Sequence, residues 1–407
     1  MNFFDICSLE EAKNRINEHF KGYTLQTQDI SILEALDKVL AKDIISSEDV
    51  PSFNRSTVDG YAIVSKDSNG ASDFSPTLLQ ICGESKMGQN CTLKLHRGQA
   101  IYVPTGGMIP DGCDSVVMIE YTEILNDMLA IHKPTCFGEN ITWAGDDVKK
   151  QTRVLTAGKQ ITPYDIGLLA SLGITTVKVY QSPSFYLIST GDEIVDIDKK
   201  TNTSQIRDIN SYALSALIKK SGGIIKGHAI VPDDFQKIKD SVTEAIKLAD
   251  IVIMSGGSSV GELDFTHKVL NSFSGKGVFV HGIAIKPGKP TIVSECEGKI
   301  VFGLPGHPAS ALILYNVLVD TFISHIMNNK KIKPKAKAKL KSNIHSSPGK
   351  TTFQMVNIEY KEDFIEVEPL YRKSGLITLL SNTQGYIIID ENQEGLYKDT
   401  YVDLYFL

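Results

Sequence analysis

Two glycine-rich loops, a proline-bounded pair of lysines and a set of carboxylates are the residues whose types and spacing could do chemistry. The apolar run 185–189 leads into Thr190-Gly191-Asp192-Glu193. The run 250–254 leads into Ser255-Gly256-Gly257-Ser258-Ser259-Val260-Gly261-Glu262-Leu263-Asp264. Glycines placed after a strand let backbone N–H groups approach a phosphate, and the hydroxyls add donors. A flexible crossover loop is the alternative. No G-x-x-x-x-G-K-[ST] string occurs, so a P-loop nucleotidase is not supported.

Carboxylates gather in the same region: Glu193, Asp208, Asp233, Asp234, Glu262 and Asp264 all fall near strand or helix ends. Some have a structural use. Asp208 or Asn210 can cap the helix that follows, and Asp233 or Asp234 the next one. Capping does not absorb all six. Free carboxylates beside a phosphate loop repel the ligand unless a cation intervenes, and Mg²⁺ bound by one or two carboxylates plus phosphate oxygens resolves the conflict.

Opposite charge comes from Ile285-Lys286-Pro287-Gly288-Lys289-Pro290, where prolines and a glycine restrict two ammonium groups at a strand end. Exposed turn lysines are the alternative. In Gly303-Leu304-Pro305-Gly306-His307-Pro308-Ala309-Ser310, Pro308 opens a helix whose free N–H groups favour an anion. His307 is a base, a ligand or a solvated turn residue.

The elements that must position these groups alternate strand and helix from residue 183. Strands are expected at 185–189, 250–254 and 299–302, and helices at 211–220, 235–248 and 308–322. This alternation implies right-handed crossovers and a parallel sheet covered on both faces, with ligands outside the carboxyl ends of the strands. Ahead of it, Ser8-x-x-Glu11 and Ser31-x-x-Glu34 read as capping boxes opening two short helices. Residues 51–133 read as a small β-rich unit, and Thr162-Pro163-x-Asp165 starts a helix ending at Gly173. In residues 330–341 lysines alternate with Ala336, Ala338 and Leu340, the pattern of a linker entering a strand with one lysine-rich face. The remainder reads as a terminal β domain.

With 407 residues, of which 42% are hydrophobic and 22% charged, the chain has material for several globular domains. Its 42 Lys plus Arg against 48 Asp plus Glu give a net charge of −6, which argues against a nucleic-acid coat. Six cysteines with no C-x-x-C pair disfavour a disulfide framework or a cysteine zinc site. Asp5, Glu10 and Glu11 near the start do not read as a signal peptide. The apolar run 309–323, interrupted by Asn316 and Asp320, is read as too short to span a bilayer. A cytoplasmic location without membrane or nucleic-acid partners is expected.

The chain resembles the molybdopterin molybdenumtransferases of the MoeA type, similar to the E domain of gephyrin. The resemblance rests on seven segments in order. They are Pro51-Ser52-Phe53-Asn54-Arg55-Ser56-Thr57-Val58-Asp59-Gly60-Tyr61-Ala62, Pro104-Thr105-Gly106-Gly107 with Pro110-Asp111-Gly112-Cys113-Asp114, Gly145-Asp146-Asp147, and the S-T-G-D-E, S-G-G-x-S-x-G-E-x-D, K-P-G-K-P and G-L-P-G-x-P-x-S strings. It implies an elongated, multidomain α/β and β protein. A discontinuous helical part would span 1–45 and 141–178, and a β-rich insertion 46–140. A MoaB/MogA-like parallel α/β molybdopterin-binding domain would span 179–329, followed by a C-terminal β-barrel at 330–407.

The same resemblance implies a homodimer with its active site between subunits, where Asp59 and Thr105 of one chain face the α/β domain of the other. The implied reaction takes adenylyl-molybdopterin and molybdate, inserts molybdenum into the dithiolene and releases AMP with Mg²⁺. Glu193, Asp233 and Asp264 are the expected catalytic and metal-binding acids, joined by Asp59. Thr105, Asp147, Ser255, Gly256, Gly257, Ser259, Pro305 and Pro308 are expected to bind substrate, and Lys286, Lys289 and Ser310 molybdate. An upstream molybdopterin adenylyltransferase and downstream molybdoenzyme maturation proteins would be partners. Three positions depart from the family pattern: His281, Thr142-Trp143-Ala144 and Met355 stand where relatives often carry basic residues. The rival readings are a nucleotide pyrophosphatase of the competence-damage type and a receptor scaffold.

Overall fold

The computed structural model describes residues 6–256, 263–329, 334–371 and 377–407; the side chains of 263–265 and 379 also lie outside the description. At the centre is a six-stranded sheet in the order Ile224–Val231, Ser184–Thr190, Ile251–Gly256, Lys299–Leu304, Ile292–Cys296, Gly277–His281. The first four strands are parallel, as the alternation of elements predicts. The pairings of the last two are antiparallel, Ile292–Cys296 running against the neighbours on both of its sides, so the expected parallel sheet is extended by a reversed strand. The cause is local: Glu297 and Gly298 both take positive φ (51° and 80°). Two such central residues make the tight hairpin whose twist matches its strands.

Apolar side chains alternate across the sheet. Phe185 and Leu187 point to one face, where the helices Asn210–Lys220 and Pro308–Leu314 pack. Tyr186 and Ile188 point to the other, beneath the helix Phe235–Leu248. That helix buries Ile238, Val242, Ala245 and Ile246, the spacing of one helical face, and each large apolar side chain so buried contributes about 1.5–3 kcal/mol. Asp234 caps it, accepting from the Lys237 N–H at 2.9 Å.

The helix Pro308–Leu314 runs on through a π-helical turn, Tyr315–Val319, to Ile326. This gives 19 helical residues, so the expectation of a run too short to span a bilayer is corrected: length and hydropathy (1.4) both reach the range of a crossing helix. Its most apolar window is 72% buried in the protein core, against Phe302 and the N-terminal helix Leu9–His19.

Ser8 caps Leu9–His19 as expected, accepting from Glu11 N at 3.1 Å. The second expected helix is only a 3₁₀ turn, Ile32–Glu34. Asp37 then turns to φ 62°, and its N–H and that of Leu40 bond to Ile161 and Lys159 carbonyls. Long-range pairing overrides the local helix signal. The capping box at Thr162 is present and opens the helix Pro163–Ser171.

The β-rich unit is a six-stranded sheet, from Ser115–Met118 through Gly60–Ile63, Gln99–Val103, Thr77–Glu84 and Met128–Ile131 to Thr122–Leu125. At the C-terminus Thr351–Tyr360, Ile365–Pro369, Lys335–Leu340, Tyr401–Phe406 and Gly385–Ile389 close into a five-stranded barrel. Its lysine-rich strand buries Ala338 and Leu340, while Lys335 and Lys337 reach Asp403 at 3.1 and 2.8 Å. A further strand, Ile285–Lys286, joins the barrel edge, pairing parallel with Thr351–Thr352.

Candidate active site

The chain leaves Ser184–Thr190 for Ile224–Val231 on one side, then crosses back to Ile251–Gly256 on the other. In an open α/β sheet such a reversal leaves a crevice beyond the strand ends. A cleft of about 1160 Å³ opens there, lined from four directions. Thr190, Glu193, Ser255 and Gly256 come from the strand ends, and Asp208 and Asn210 from the start of the next helix. Pro305 to Ser310 supply the opening of the long helix, and Lys286 to Pro290 with Pro348 to Lys350 and Thr352 bring in the barrel edge.

Backbone proximity fixes the glycines. Gly256 has φ +115°, and a Cβ there would stand 2.1 Å from the Thr190 carbonyl oxygen. A Cβ on Gly191 would meet Glu193 Oε2 at 2.7 Å, so the Glu193 carboxylate folds back over the loop. Gly288, at φ +119°, lies against Leu314 and turns the lysine segment toward the cleft.

Asp208 is buried and fully engaged. It accepts from Ser189 Oγ (2.8 Å), Ser211 Oγ (2.5 Å) and Ser211 N (3.1 Å), so it serves as a cap and strut. Asn210 donates through Nδ2 to Ser255 Oγ and to the Gly306 carbonyl, both at 2.7 Å, and ties the serine loop to the proline-glycine loop. Ser310 is buried in the first turn after Pro308.

Of the sequence-predicted residues, Glu193, Ser255, Gly256, Lys286, Lys289, Pro305, Pro308 and Ser310 all line the cleft. Asp233 stands one strand over, its N–H bonded to Asp192 Oδ1 at 3.3 Å, and is not part of the lining. Gly257 and Ser259 lie outside the described residues. Asp264 is in the helix Leu263–Leu270, and its side chain lies outside the description. Among the described residues no three His, Cys, Asp or Glu side chains gather as a metal site.

Asp59, Thr105 and Asp147 form a separate constellation. The Thr105 N–H donates to Asp59 Oδ1 at 2.7 Å. Gly106 and Gly107 exchange backbone bonds with Ser56, Ala144 N donates to Asn54 Oδ1, and Asp147 N donates to the Val50 carbonyl. None of the three lines the cleft.

Sequence reasoning missed Arg207, Lys350 and Gln354 as cleft residues. Lys350 carried a readable signal: Pro348-Gly349-Lys350 repeats the tripeptide Pro287-Gly288-Lys289. Of the three departures, Met355 lines the cleft as an apolar, buried residue. His281 instead stacks on His267, their ring centroids 4.8 Å apart, and Trp143 stacks on Phe137.

Three family models match in order. One described as MoeA N-terminal region (domain I and II) covers residues 7–173, one described as "Probable molybdopterin binding domain" covers 186–325, and MoeA C-terminal region (domain IV) covers 337–407. A molybdopterin molybdenumtransferase of Haemophilus influenzae is 34% identical over 95% of each chain. Another, of Staphylococcus aureus, is 30% identical over 92% of this chain and 90% of its own. A crystal structure of a molybdopterin biosynthesis MoeA protein from Pyrococcus horikoshii superposes with a TM-score of 0.85 at 28% identity, covering 99% of this chain and 100% of that one. The chain belongs to the MoeA family, the molybdopterin molybdenumtransferases of molybdenum cofactor biosynthesis.

Proposed function

We propose that this chain takes adenylyl-molybdopterin and molybdate and yields Mo-molybdopterin and AMP. The observation that carries this reading is one cleft with two chemically distinct walls: glycine and serine strand ends face Lys286 and Lys289. At about 1160 Å³ it exceeds the roughly 300–1,000 Å³ of a pocket built for one small ligand. Two reactants fit that volume better than one.

On this reading the Ser255–Gly256 end, continued by Gly257 and Ser259, holds the pterin and phosphate side. Pro305 and Pro308 set the opposite loop, and Lys286, Lys289 and Ser310 hold molybdate as a dianion by charge-assisted hydrogen bonds. Mg²⁺ is proposed as the cation that neutralises the phosphates. The Glu193 carboxylate, folded over Gly191, suits a hard ion that takes one protein carboxylate and fills its shell with phosphate and water. Asp233 and Asp264, at neighbouring strand and helix ends, complete the proposed acidic set. Bound there, Mg²⁺ would supply charge neutralisation at the anhydride. Glu193 itself orients the phosphate chain, and the lysine turn holds the oxyanion.

The separation of Asp59, Thr105 and Asp147 from the cleft supports a homodimer in which they close the partner's site. The four-part division at 1–45 with 141–178, 46–140, 179–329 and 330–407 is proposed with it. So are a cytoplasmic location, supply by a molybdopterin adenylyltransferase and delivery to molybdoenzyme maturation proteins. Crystals soaked with AMP and tungstate test the reading. Both ligands are expected in the cleft, AMP beside Ser255 and tungstate beside Lys286; density for both elsewhere would contradict it.

A further inference from the structure

We infer that the stacked side chains of Phe137 and Trp143 form a platform for a fused-ring nitrogen heterocycle of the substrate, its pterin or its adenine, in the cleft of the partner chain. The inference rests on the proposed function, in which the domain carrying Asp59 closes that cleft. It adds the residues that read the substrate's flat rings.

The cleft itself lacks such a surface. Adenylyl-molybdopterin carries two fused-ring heterocycles, and rings of this kind bind by stacking on aromatic faces. Among the described lining residues the only Phe, Tyr or Trp is Phe353. Phe353 is 4% exposed and packs on Tyr386, ring centroids 5.6 Å apart, so it offers no open face. The walls that hold phosphate and oxyanion therefore leave the rings without a stacking partner.

An open face lies beside the Asp59 constellation. Phe137 and Trp143 stack with centroids 5.7 Å apart and planes 21° from parallel. Trp143 is half-buried against the core cluster that includes Val103 and Val116, while Phe137, stacked on it, is 74% exposed. Backbone bonds tie the pair to the constellation. Ile141 and Thr142 pair with Ser56 and Arg55, and the Thr57 N–H donates to the Asn140 carbonyl at 3.0 Å, two residues before Asp59. The Trp143 N–H donates to Asp146 Oδ2 at 2.7 Å. The Cys136 N–H donates to Glu139 Oε2 at 2.8 Å and fixes the turn at Phe137. Both rings are set before a ligand arrives, so little ordering is lost on binding. One ring face has the area of a heterocycle and is smaller than the contiguous apolar patch that marks a protein partner.

Calorimetry on the full-length protein, without turnover, tests this. Dissociation constants for AMP, for a simple pterin lacking the dithiolene and for ribose 5-phosphate are measured for wild type, Phe137→Ala, Phe137→Tyr and Phe74→Ala. Phe74 is exposed on the same domain and lies outside the stack. Thermal melting checks that each variant is folded. Phe137→Ala is expected to weaken AMP or the pterin about tenfold, equivalent to about 1.4 kcal/mol, and to leave ribose 5-phosphate unchanged. The ligand that is weakened identifies the ring as adenine or pterin. Phe137→Tyr is expected to retain most of the affinity, and Phe74→Ala all of it. Trp143 is the only tryptophan in the chain, so its emission should change with the ring ligand and not with ribose 5-phosphate. The inference is overturned, while the proposed function stands, if folded Phe137→Ala binds AMP and the pterin as wild type does. Equal weakening of ribose 5-phosphate, or binding of both ring ligands with Trp143 emission unchanged, overturns it in the same way. A wild type that binds none of the three ligands overturns both.

Discussion

The Thr105 N–H donates to Asp59 Oδ1 at 2.7 Å, and this pair stands apart from the cleft that contains Glu193, Lys286 and Ser310. Asp147 belongs with the pair, because its loop is bonded to Val50 and Asn54 in the same knot of backbone. One chain thus presents two polar constellations on different domains. On the proposed function, a second copy of the chain brings the two together.

That arrangement predicts complementation between inactive variants. Asp59→Ala and Glu193→Ala are each expected to lose turnover while melting near wild type. When equal amounts are mixed under subunit exchange, half the dimers are mixed, and each carries one intact site. About a quarter of wild-type activity should return, from closed two-fold symmetry alone. Gel filtration and an AMP-release assay on the mixture check this, and no recovery despite demonstrated exchange would contradict the shared site.

Gly256 makes a second prediction on the stability of the strand end. A methyl group there meets the Thr190 carbonyl at 2.1 Å, in a backbone conformation that side chains rarely adopt. Gly256→Ala should cost about 2 kcal/mol or more and weaken AMP binding with it. Urea unfolding read by fluorescence, with calorimetry for AMP, gives both numbers. A variant as stable as wild type would mean that the strand end relaxes freely.

The capping box at Thr162 predicts a pH dependence. Burial pushes the Asp165 carboxyl up, but hydrogen bonds from Lys159 and from the Thr162 hydroxyl and N–H outweigh it and hold the group below the usual carboxylate range. A depressed folded value adds stability that is present above the unfolded value of about 3.9 and lost as pH falls through the folded value. Wild type should exceed Asp165→Asn by about 1 kcal/mol near pH 6. The gap should close as pH falls through the folded value, below the usual carboxylate range. Urea titrations across that range measure it, and a gap constant with pH would remove the charge from the account.

Much of this was legible in the sequence because the signals were local. Periodicity placed the helix Phe235–Leu248, and glycines after apolar runs marked the strand ends at Thr190 and Ser255. Caps were legible as sets rather than individuals: Asp234 took the role left open between it and Asp233. What failed was nonlocal. The Ser31 box gave way to pairing with residues 159 and 161, and the reversal at Glu297-Gly298 depended on two positive φ values. Lys350 entered the cleft only because the barrel edge pairs with Ile285–Lys286, a juxtaposition of segments 66 residues apart (Thr351 against Ile285).

On the proposed function, one cleft brings adenylylated molybdopterin and molybdate together, with Glu193 on the phosphate side. The most direct measurement follows AMP released from adenylyl-molybdopterin by purified protein with Mg²⁺, with and without molybdate, for wild type and Glu193→Ala. Wild type should release AMP in step with Mo-molybdopterin formation and only when molybdate is added, and Glu193→Ala should be slower by about 10²-fold or more. AMP release indifferent to molybdate, or a Glu193→Ala variant as fast as wild type, would contradict the account.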